Sequence, residues 1–79
     1  MAATLDEIRA LMAEVLDVPA SRVTDDVVLT DLVSDSFRLV EMAIELQEVY
    51  DVVLGQADLK DLRTVGQLAA LVHSRIPAG

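Results

Sequence analysis

Residues 37–50 carry two separate apolar stripes at helical spacing, and this pattern limits what the chain can fold into. Successive residues lie about 100° apart around a helix axis. One stripe, on the side that a helix would turn to a core, comprises Leu39, Met42, Ala43, Leu46, Val49 and Tyr50. The opposite side carries Phe37, Val40 and Ile44. The pattern therefore predicts a helix that packs into a core and also exposes an apolar face.

Acidic residues border this second stripe. Glu41 and Glu48 are interleaved with it, and Glu45 and Gln47 flank it. Single exposed hydrophobic residues are common on protein surfaces, whereas three in register on one helix face are unusual. Apolar contact area with carboxylates around it selects a partner by charge. The face therefore predicts a docking surface for proteins that carry basic patches.

Asp35 and Ser36 stand immediately before the apolar stripes. Both residue types are preferred helix N-caps, because their side-chain oxygens accept hydrogen bonds from free amides of the first turn. The same position also places the Ser36 hydroxyl beside the exposed stripe. From the residues alone, Ser36 is therefore either a cap or a functional hydroxyl at a helix entrance.

Two capping boxes predict where the other long helices begin. Thr4 is followed three residues later by Glu7, and Thr64 by Gln67. In each box the two side chains satisfy each other's backbone amides. Apolar residues at helical spacing follow both boxes, and Pro19 ends the first pattern.

A long connection, residues 20–34, separates the first two predicted helices. Its hydrophobic residues are expected to pack across the helix ends: Val23, Val27, Val28, Leu29 and Leu32. Residues 51–55 are predicted to form a buried loop, and residues 58–62 a short helix. The fold class is therefore all-α, a compact bundle of three main helices plus one short helix with a long ordered loop, forming a single domain over residues 1–79.

Composition restricts the possible partners and location. Fourteen acidic and six basic residues give a net charge of -8, which repels nucleic-acid phosphates and favours basic proteins. The chain has no cysteine, so disulfides, thiolate metal sites and a cysteine nucleophile are excluded. Because no segment approaches the roughly 20 apolar residues of a membrane span or resembles a signal peptide, we expect a cytoplasmic protein, monomeric when free and not bound to membranes.

Metal and catalytic sites are poorly supported. Four acidic residues lie in or next to the long connection, but they lack the spacing, central glycine and final glutamate of a calcium loop: Asp25, Asp26, Asp31 and Asp35. The only histidine, His73, lies beside Ser74 on the last helix, where a surface position explains it. We therefore predict no metal ligands and no catalytic residues.

Several segments resemble the acyl carrier protein family over nearly the whole chain. The central match is Asp35-Ser36-Phe37, which is followed by Val40-Glu41-Met42 and by residues 46–50, while residues 62–65 resemble the family's entry to its last helix. The resemblance implies that Ser36 carries 4'-phosphopantetheine from coenzyme A, making the chain a phosphoprotein, and that Asp35 takes part in transferase recognition. The implied partners of such a freestanding carrier are a phosphopantetheinyl transferase, an acyltransferase or ligase, and a ketosynthase.

Three positions depart from the pattern of that family. Phe37 replaces a usual leucine, Val33 stands at a common glycine, and Arg38 brings a positive charge. Val33 predicts an extended backbone, because β-branched residues resist positive φ. Phe37, Arg38 and Gln47 favour bacterial polyketide or antibiotic biosynthesis over fatty acid biosynthesis. Two alternatives stay open, namely an acidic helical adaptor in which Ser36 is only a cap, and a carrier of aminoacyl cargo.

Overall fold

The fold consists of helices joined by short ordered segments. A computed structural model describes residues 3–77, so the predicted domain 1–79 includes four terminal residues outside the described part. The elements, in chain order, are α1 (Leu5–Leu16), a 3₁₀ turn (Ala20–Arg22), α2 (Leu29–Leu32), α3 (Ser36–Tyr50), α4 (Gln56–Lys60) and α5 (Val65–Arg75). Between residues 3 and 77 the only β pairing is an isolated bridge from Val28 to Thr64. The all-α prediction is confirmed.

The core lies between the three long helices α1, α3 and α5. Its largest fully buried side chains are aliphatic or methionine: Ile8, Met12, Leu16, Met42, Leu46, Val65, Leu68 and Val72. The radius of gyration is 11.4 Å, close to the roughly 11.6 Å expected of a compact domain of this length. The amphipathic stripes therefore meet in one core, whose fully buried side chains within residues 3–77 include no aromatic ring, and Tyr50 packs against it partly buried.

Both predicted capping boxes are present. At the start of α1, the Glu7 amide donates to Thr4 Oγ1 at 3.1 Å and the Thr4 amide donates to Glu7 Oε2 at 3.4 Å. At the start of α5, the Gln67 amide donates to Thr64 Oγ1 at 3.2 Å and the Thr64 amide donates to Gln67 Oε1 at 3.1 Å. These exchanges satisfy amides that a helix cannot pair internally.

The connection between α1 and α3 is ordered, as predicted, and contains a 3₁₀ turn and the four-residue helix α2. Val23 and Leu32 are buried, and Val27 and Leu29 are partly buried. Backbone hydrogen bonds join the connection to the segment that enters α5, including Val65 N to Val27 O at 2.9 Å. The connection is therefore held as part of the packed structure.

Several details of the sequence prediction were wrong. The structure has two short helices, α2 and α4, where one was predicted, and Val28, expected to pack across the helix ends, is 40% exposed. Val49 is 52% exposed and Val53 is 76% exposed, although the first was assigned to the core and the second to a buried loop. Val49 lies in the last turn of α3. Periodicity shows which side of a helix faces the core, but it does not show whether the neighbouring elements extend far enough to cover that side at the end of the helix. The short helix α4 begins at Gln56, earlier than predicted.

An ion pair joins α4 to the end of α5. Arg75 donates to both carboxylate oxygens of Asp58 at 2.9 Å and to the carbonyl oxygen of Val53 at 2.9 Å. The amide of Gly55 also donates to Asp58 Oδ2 at 3.0 Å. The Arg75 hydrogen bonds, followed by the Gly55 amide, hold the pKa of Asp58 below its ordinary value of 3.8.

This ion pair predicts a pH-dependent contribution to stability. Because the pKa of Asp58 is depressed in the folded state, its contribution is full above the unfolded pKa and is lost as pH falls through the folded pKa. We expect the difference in melting temperature between the parent and Arg75→Gln to shrink below about pH 4. Circular dichroism melts across that range measure it, with Arg22→Gln as an exposed-arginine control. A difference that stays constant on acidification would contradict this role of Asp58.

Candidate functional site

Ser36 is the first residue of α3, and its side chain is exposed. The N-cap is Asp35, whose Oδ1 accepts a hydrogen bond from the Phe37 amide at 2.9 Å. Within residues 3–77 the Ser36 hydroxyl makes no hydrogen bond. The preceding Val33 is extended, with φ -141°, as its β-branched side chain predicted. The capping requirement of α3 is therefore met without Ser36, which leaves its oxygen accessible.

The second apolar stripe of α3 is exposed, as predicted. Phe37, Val40 and Ile44 are 64%, 53% and 49% exposed, and Glu41 and Glu48 are also exposed. The five side chains form one mixed apolar and acidic surface that starts beside Ser36, which we call the α3 face. Its composition suits contact with an apolar surface bordered by basic residues.

Gln47, which flanks this face, has a structural role. Its Nε2 donates to the Ala43 carbonyl oxygen at 3.2 Å, and its Oε1 accepts from the Leu54 amide at 3.1 Å. These bonds join the end of α3 to the loop that follows. The fold therefore explains a neutral amide at this position, and Gln47 gives no information about the pathway.

A cavity of about 470 Å³, partly open to solvent, lies beside the start of α3. Its walls come from α2 with the residue before it, α3, α4, the segment entering α5, and α5 itself. The residues that line it are Val28, Leu29, Thr30, Leu39, Val40, Met42, Ala43, Leu59, Leu62, Arg63 and Leu68. Leu39 and Val40 follow Ser36 within about one helical turn. The space is therefore apolar and close to the accessible hydroxyl.

Sequence reasoning did not identify this cavity. Leu39 was assigned to the core and Val28 to general packing of the connection, because hydrophobic spacing shows burial without showing the space between buried groups. The only available signal was the excess of hydrophobic residues in a long connection. Such an excess indicates packing, but it does not indicate a void.

Residues 6–72 match the family described as phosphopantetheine attachment site. The meromycolate extension acyl carrier protein of Mycolicibacterium smegmatis is 38% identical over 78 residues, covering 92% of this chain and 79% of that protein. The chain belongs to the acyl carrier protein family. It is also similar to the acyl carrier protein of Chlamydia caviae, at 31% identity over 71 residues, or 89% of this chain and 92% of the relative. Polyketide-8 synthase acyl carrier protein 2 of Streptomyces avermitilis is 32% identical over 72 residues, or 90% and 83% of the two chains.

As an acyl carrier protein, the chain is a non-catalytic carrier whose cofactor is 4'-phosphopantetheine. Carriers of this family interact with the enzymes of their pathway. An exposed hydroxyl at a helix start fits attachment of a phosphate-linked cofactor, because the oxygen is accessible and the first turn of a helix favours negative charge. Among residues 3–77, no helix has the length and apolar character needed to cross a bilayer.

Other polar residues have structural explanations in this acyl carrier protein. Asp25 pairs with Arg9 at 2.7 Å. Thr24 Oγ1 donates to Asp26 at 3.0 Å, and the Ser74 hydroxyl donates to the Leu71 carbonyl oxygen. Within residues 3–77, no group of three or more histidine and acidic side chains is placed to hold a metal ion.

Proposed function

We propose that the protein carries acyl intermediates on a phosphopantetheine arm attached to Ser36. The observation that supports this residue most strongly is its exposed hydroxyl at the first position of α3, with the capping bond supplied by Asp35. In the alternative adaptor function, Ser36 would serve only as a cap, and the capping bond from Asp35 leaves that function without an explanation for the serine.

The start of α3 would hold the phosphodiester of the cofactor. An anion at the end of an exposed helix gains roughly 0.3–1 kcal/mol from the free amides and their dipoles. The Asp35 carboxylate opposes this gain once the phosphate is attached. We assign Asp35 a second role in recognition by the transferase, before attachment, in addition to its observed role as a cap.

When bound, the cofactor supplies a thiol that holds acyl groups as thioesters. The chain's own contribution is position and shelter for the cargo. Leu39 and Val40 line the cavity within about one turn of Ser36, and its other walls are mainly aliphatic. Apolar lining favours an acyl chain over water by burying its surface, so the cavity supports an acyl cargo better than a charged aminoacyl cargo.

We assign the α3 face to the docking of partner enzymes. The expected partners are the phosphopantetheinyl transferase, an acyltransferase or ligase, and a ketosynthase with basic patches. Phe37, Val40 and Ile44 supply apolar area that the fold leaves uncovered, and Glu41 and Glu48 supply negative charge at its edge. Complementary charge of this kind accelerates encounter and selects among partners.

Charge reversal tests the docking assignment. We expect Glu41→Lys or Glu48→Lys to lower kcat/KM of a phosphopantetheinyl transferase by roughly threefold to tenfold at low salt and to weaken its salt dependence. Both residues are exposed, so circular dichroism should show an unchanged fold. Glu14→Lys, the same charge change on an exposed position of α1, should leave kcat/KM near the parent value. If charge reversal at Glu14 and at Glu41 lowered kcat/KM equally, the transferase would be responding to the overall charge of the carrier and not to the α3 face.

For the pathway, we propose bacterial polyketide or related antibiotic biosynthesis, with fatty acid biosynthesis as the alternative. Phe37 and Arg38 make the docking end of α3 different from the usual pattern of the family. The similarity to a carrier named for a polyketide synthase also supports this choice. We further propose that the chain is a single domain that acts as a cytoplasmic monomer.

Intact mass tests the proposed function directly. Parent protein incubated with coenzyme A, magnesium and a promiscuous phosphopantetheinyl transferase should gain one phosphopantetheine unit. A subsequent acyl-loading reaction should add one acyl group to that arm. A folded parent that gains no mass would leave the adaptor function as the better account.

A further inference from the structure

The cavity beside α3 is polar on one side only. Nine of its eleven lining residues are hydrophobic, and the two exceptions are Thr30 and Arg63. Among the described residues 3–77, Arg63 is therefore the only charged residue that lines it. The two polar side chains can form hydrogen bonds with a molecule in the cavity, which its aliphatic walls alone could not do.

Backbone hydrogen bonds fix the two polar residues on adjoining segments. The Arg63 carbonyl oxygen accepts from the Leu29 amide at 2.8 Å, and the next residue along that segment, Thr64, is paired with Val28 in the isolated bridge. The Arg63 amide donates to Gln67 Oε1 at 2.8 Å. The carbonyl and the amide of Arg63 are both hydrogen-bonded, and Thr30 directly follows Leu29, whose amide is bonded to that carbonyl. The Arg63 and Thr30 side chains therefore extend from neighbouring positions on the rim of the cavity.

The side chain of Arg63 is exposed and forms no ion pair within residues 3–77, whereas Arg9 and Arg75 each bind carboxylates. A guanidinium group has only donors, and a threonine hydroxyl can both donate and accept. Exposed polar groups of this kind form hydrogen bonds with solvent water. Cargo that displaces this water without replacing its hydrogen bonds loses affinity, while cargo with an oxygen acceptor replaces them.

We propose that Arg63, together with Thr30, makes the cavity selective for acyl chains that carry keto or hydroxyl oxygens over fully saturated chains. Arg63 donates hydrogen bonds to an oxygen of the chain at the cavity rim, and the leucine, valine and methionine walls cover the carbon atoms. Arg63 is a specificity-determining residue of the carrier. This assignment rests on the proposed function, because the chain in the cavity is the one tethered to Ser36.

Thioester protection measures this selectivity without any pathway enzyme. Parent and Arg63→Met are loaded from octanoyl- and 3-oxooctanoyl-coenzyme A by a promiscuous transferase, and intact mass verifies loading. The hydrolysis rate of each thioester is then divided by that of the same acyl group on free pantetheine. We expect Arg63→Met to reduce protection of the 3-oxo chain roughly threefold to tenfold, the equivalent of one net hydrogen bond, while protection of the saturated chain is unchanged or improved.

Two further variants make the outcome specific. Arg22→Met makes the same substitution on an exposed arginine that does not line the cavity, and we expect both protection ratios to match the parent. Arg63→Lys keeps a cationic donor and should retain part of the 3-oxo preference. Fully loaded Arg63→Met with unchanged protection of both chains, or with equal loss for both, overturns the selectivity. A parent that cannot be loaded overturns the proposed function and this inference with it.

Discussion

Replacement of Ser36 by alanine is expected to abolish cofactor attachment completely while leaving the fold intact. The substitution removes the only side-chain oxygen at the first position of α3. It removes no hydrogen bond seen within residues 3–77, the side chain is exposed, and Asp35 supplies the cap. Intact mass after incubation with coenzyme A, magnesium and transferase should therefore show no gain, with a parent-like circular dichroism spectrum.

The matched control for this experiment is Ser34→Ala. Ser34 is an exposed serine two residues earlier in the same segment, and its variant should still gain one phosphopantetheine unit. A gain of one unit by Ser36→Ala would place the attachment elsewhere in the chain. Loss of the gain in both variants would indicate that the substitutions disturb transferase binding and not the accepting oxygen.

Replacement of Leu46 by alanine is expected to have the largest effect on stability. Leu46 is completely buried in α3, and truncation of a buried leucine costs about 2–5 kcal/mol through lost burial and the cavity that remains. A core in a domain this small rarely supplies more than about 3–5 kcal/mol. We therefore expect Leu46→Ala to be largely or partly unfolded at 25 °C by circular dichroism and chemical denaturation.

The contrasting variant is Val49→Ala, one turn further along α3. Val49 is half exposed, and surface substitutions usually change the free energy of unfolding by no more than about 0.5 kcal/mol. Its denaturation midpoint should stay close to that of the parent. Similar losses of stability at Leu46 and Val49 would show that the end of α3 is covered in solution.

The long helices could be predicted because several independent local signals agree on them. At α1 and α5, a capping box precedes apolar residues at helical spacing, and the structure shows both boxes bonded as expected. At α3 the same arithmetic separated buried Met42 and Leu46 from exposed Phe37 and Ile44. Capping and periodicity are properties of neighbouring residues, so they can be read without knowledge of the tertiary contacts.

Features that depend on contacts between distant segments could not be predicted in this way. A Cβ atom on Gly66 would lie 2.9 Å from the Asp25 carbonyl oxygen, so the connection packs against α5 more closely than another residue would allow. The four-residue helix α2 has no side-chain cap, and α4 is joined to the end of α5 by the pairing of Asp58 with Arg75. None of these three features leaves a periodic signal in the sequence.

The candidate site shows the same division between local and distant information. The sequence located Ser36 and the α3 face, but it left open whether the serine was a cap, and the Asp35 hydrogen bond to the Phe37 amide answers that question. The cavity and the place of Arg63 in its wall required α2, α3, α4, α5 and the segment between the last two to be brought together. The charge of Arg63 was visible in the sequence, but its position in the cavity wall was not.

Localisation of the cofactor within a tryptic peptide tests the central claim most directly. Cleavage after Arg22 and Arg38 releases residues 23–38, which contain both Ser34 and Ser36. Tandem mass spectrometry with a fragmentation method that preserves the phosphodiester separates these two positions. We predict that the added mass is already present in the fragment that contains residues 36–38. An added mass that first appears in the fragment containing residues 34–38, or in another peptide, would contradict attachment at Ser36.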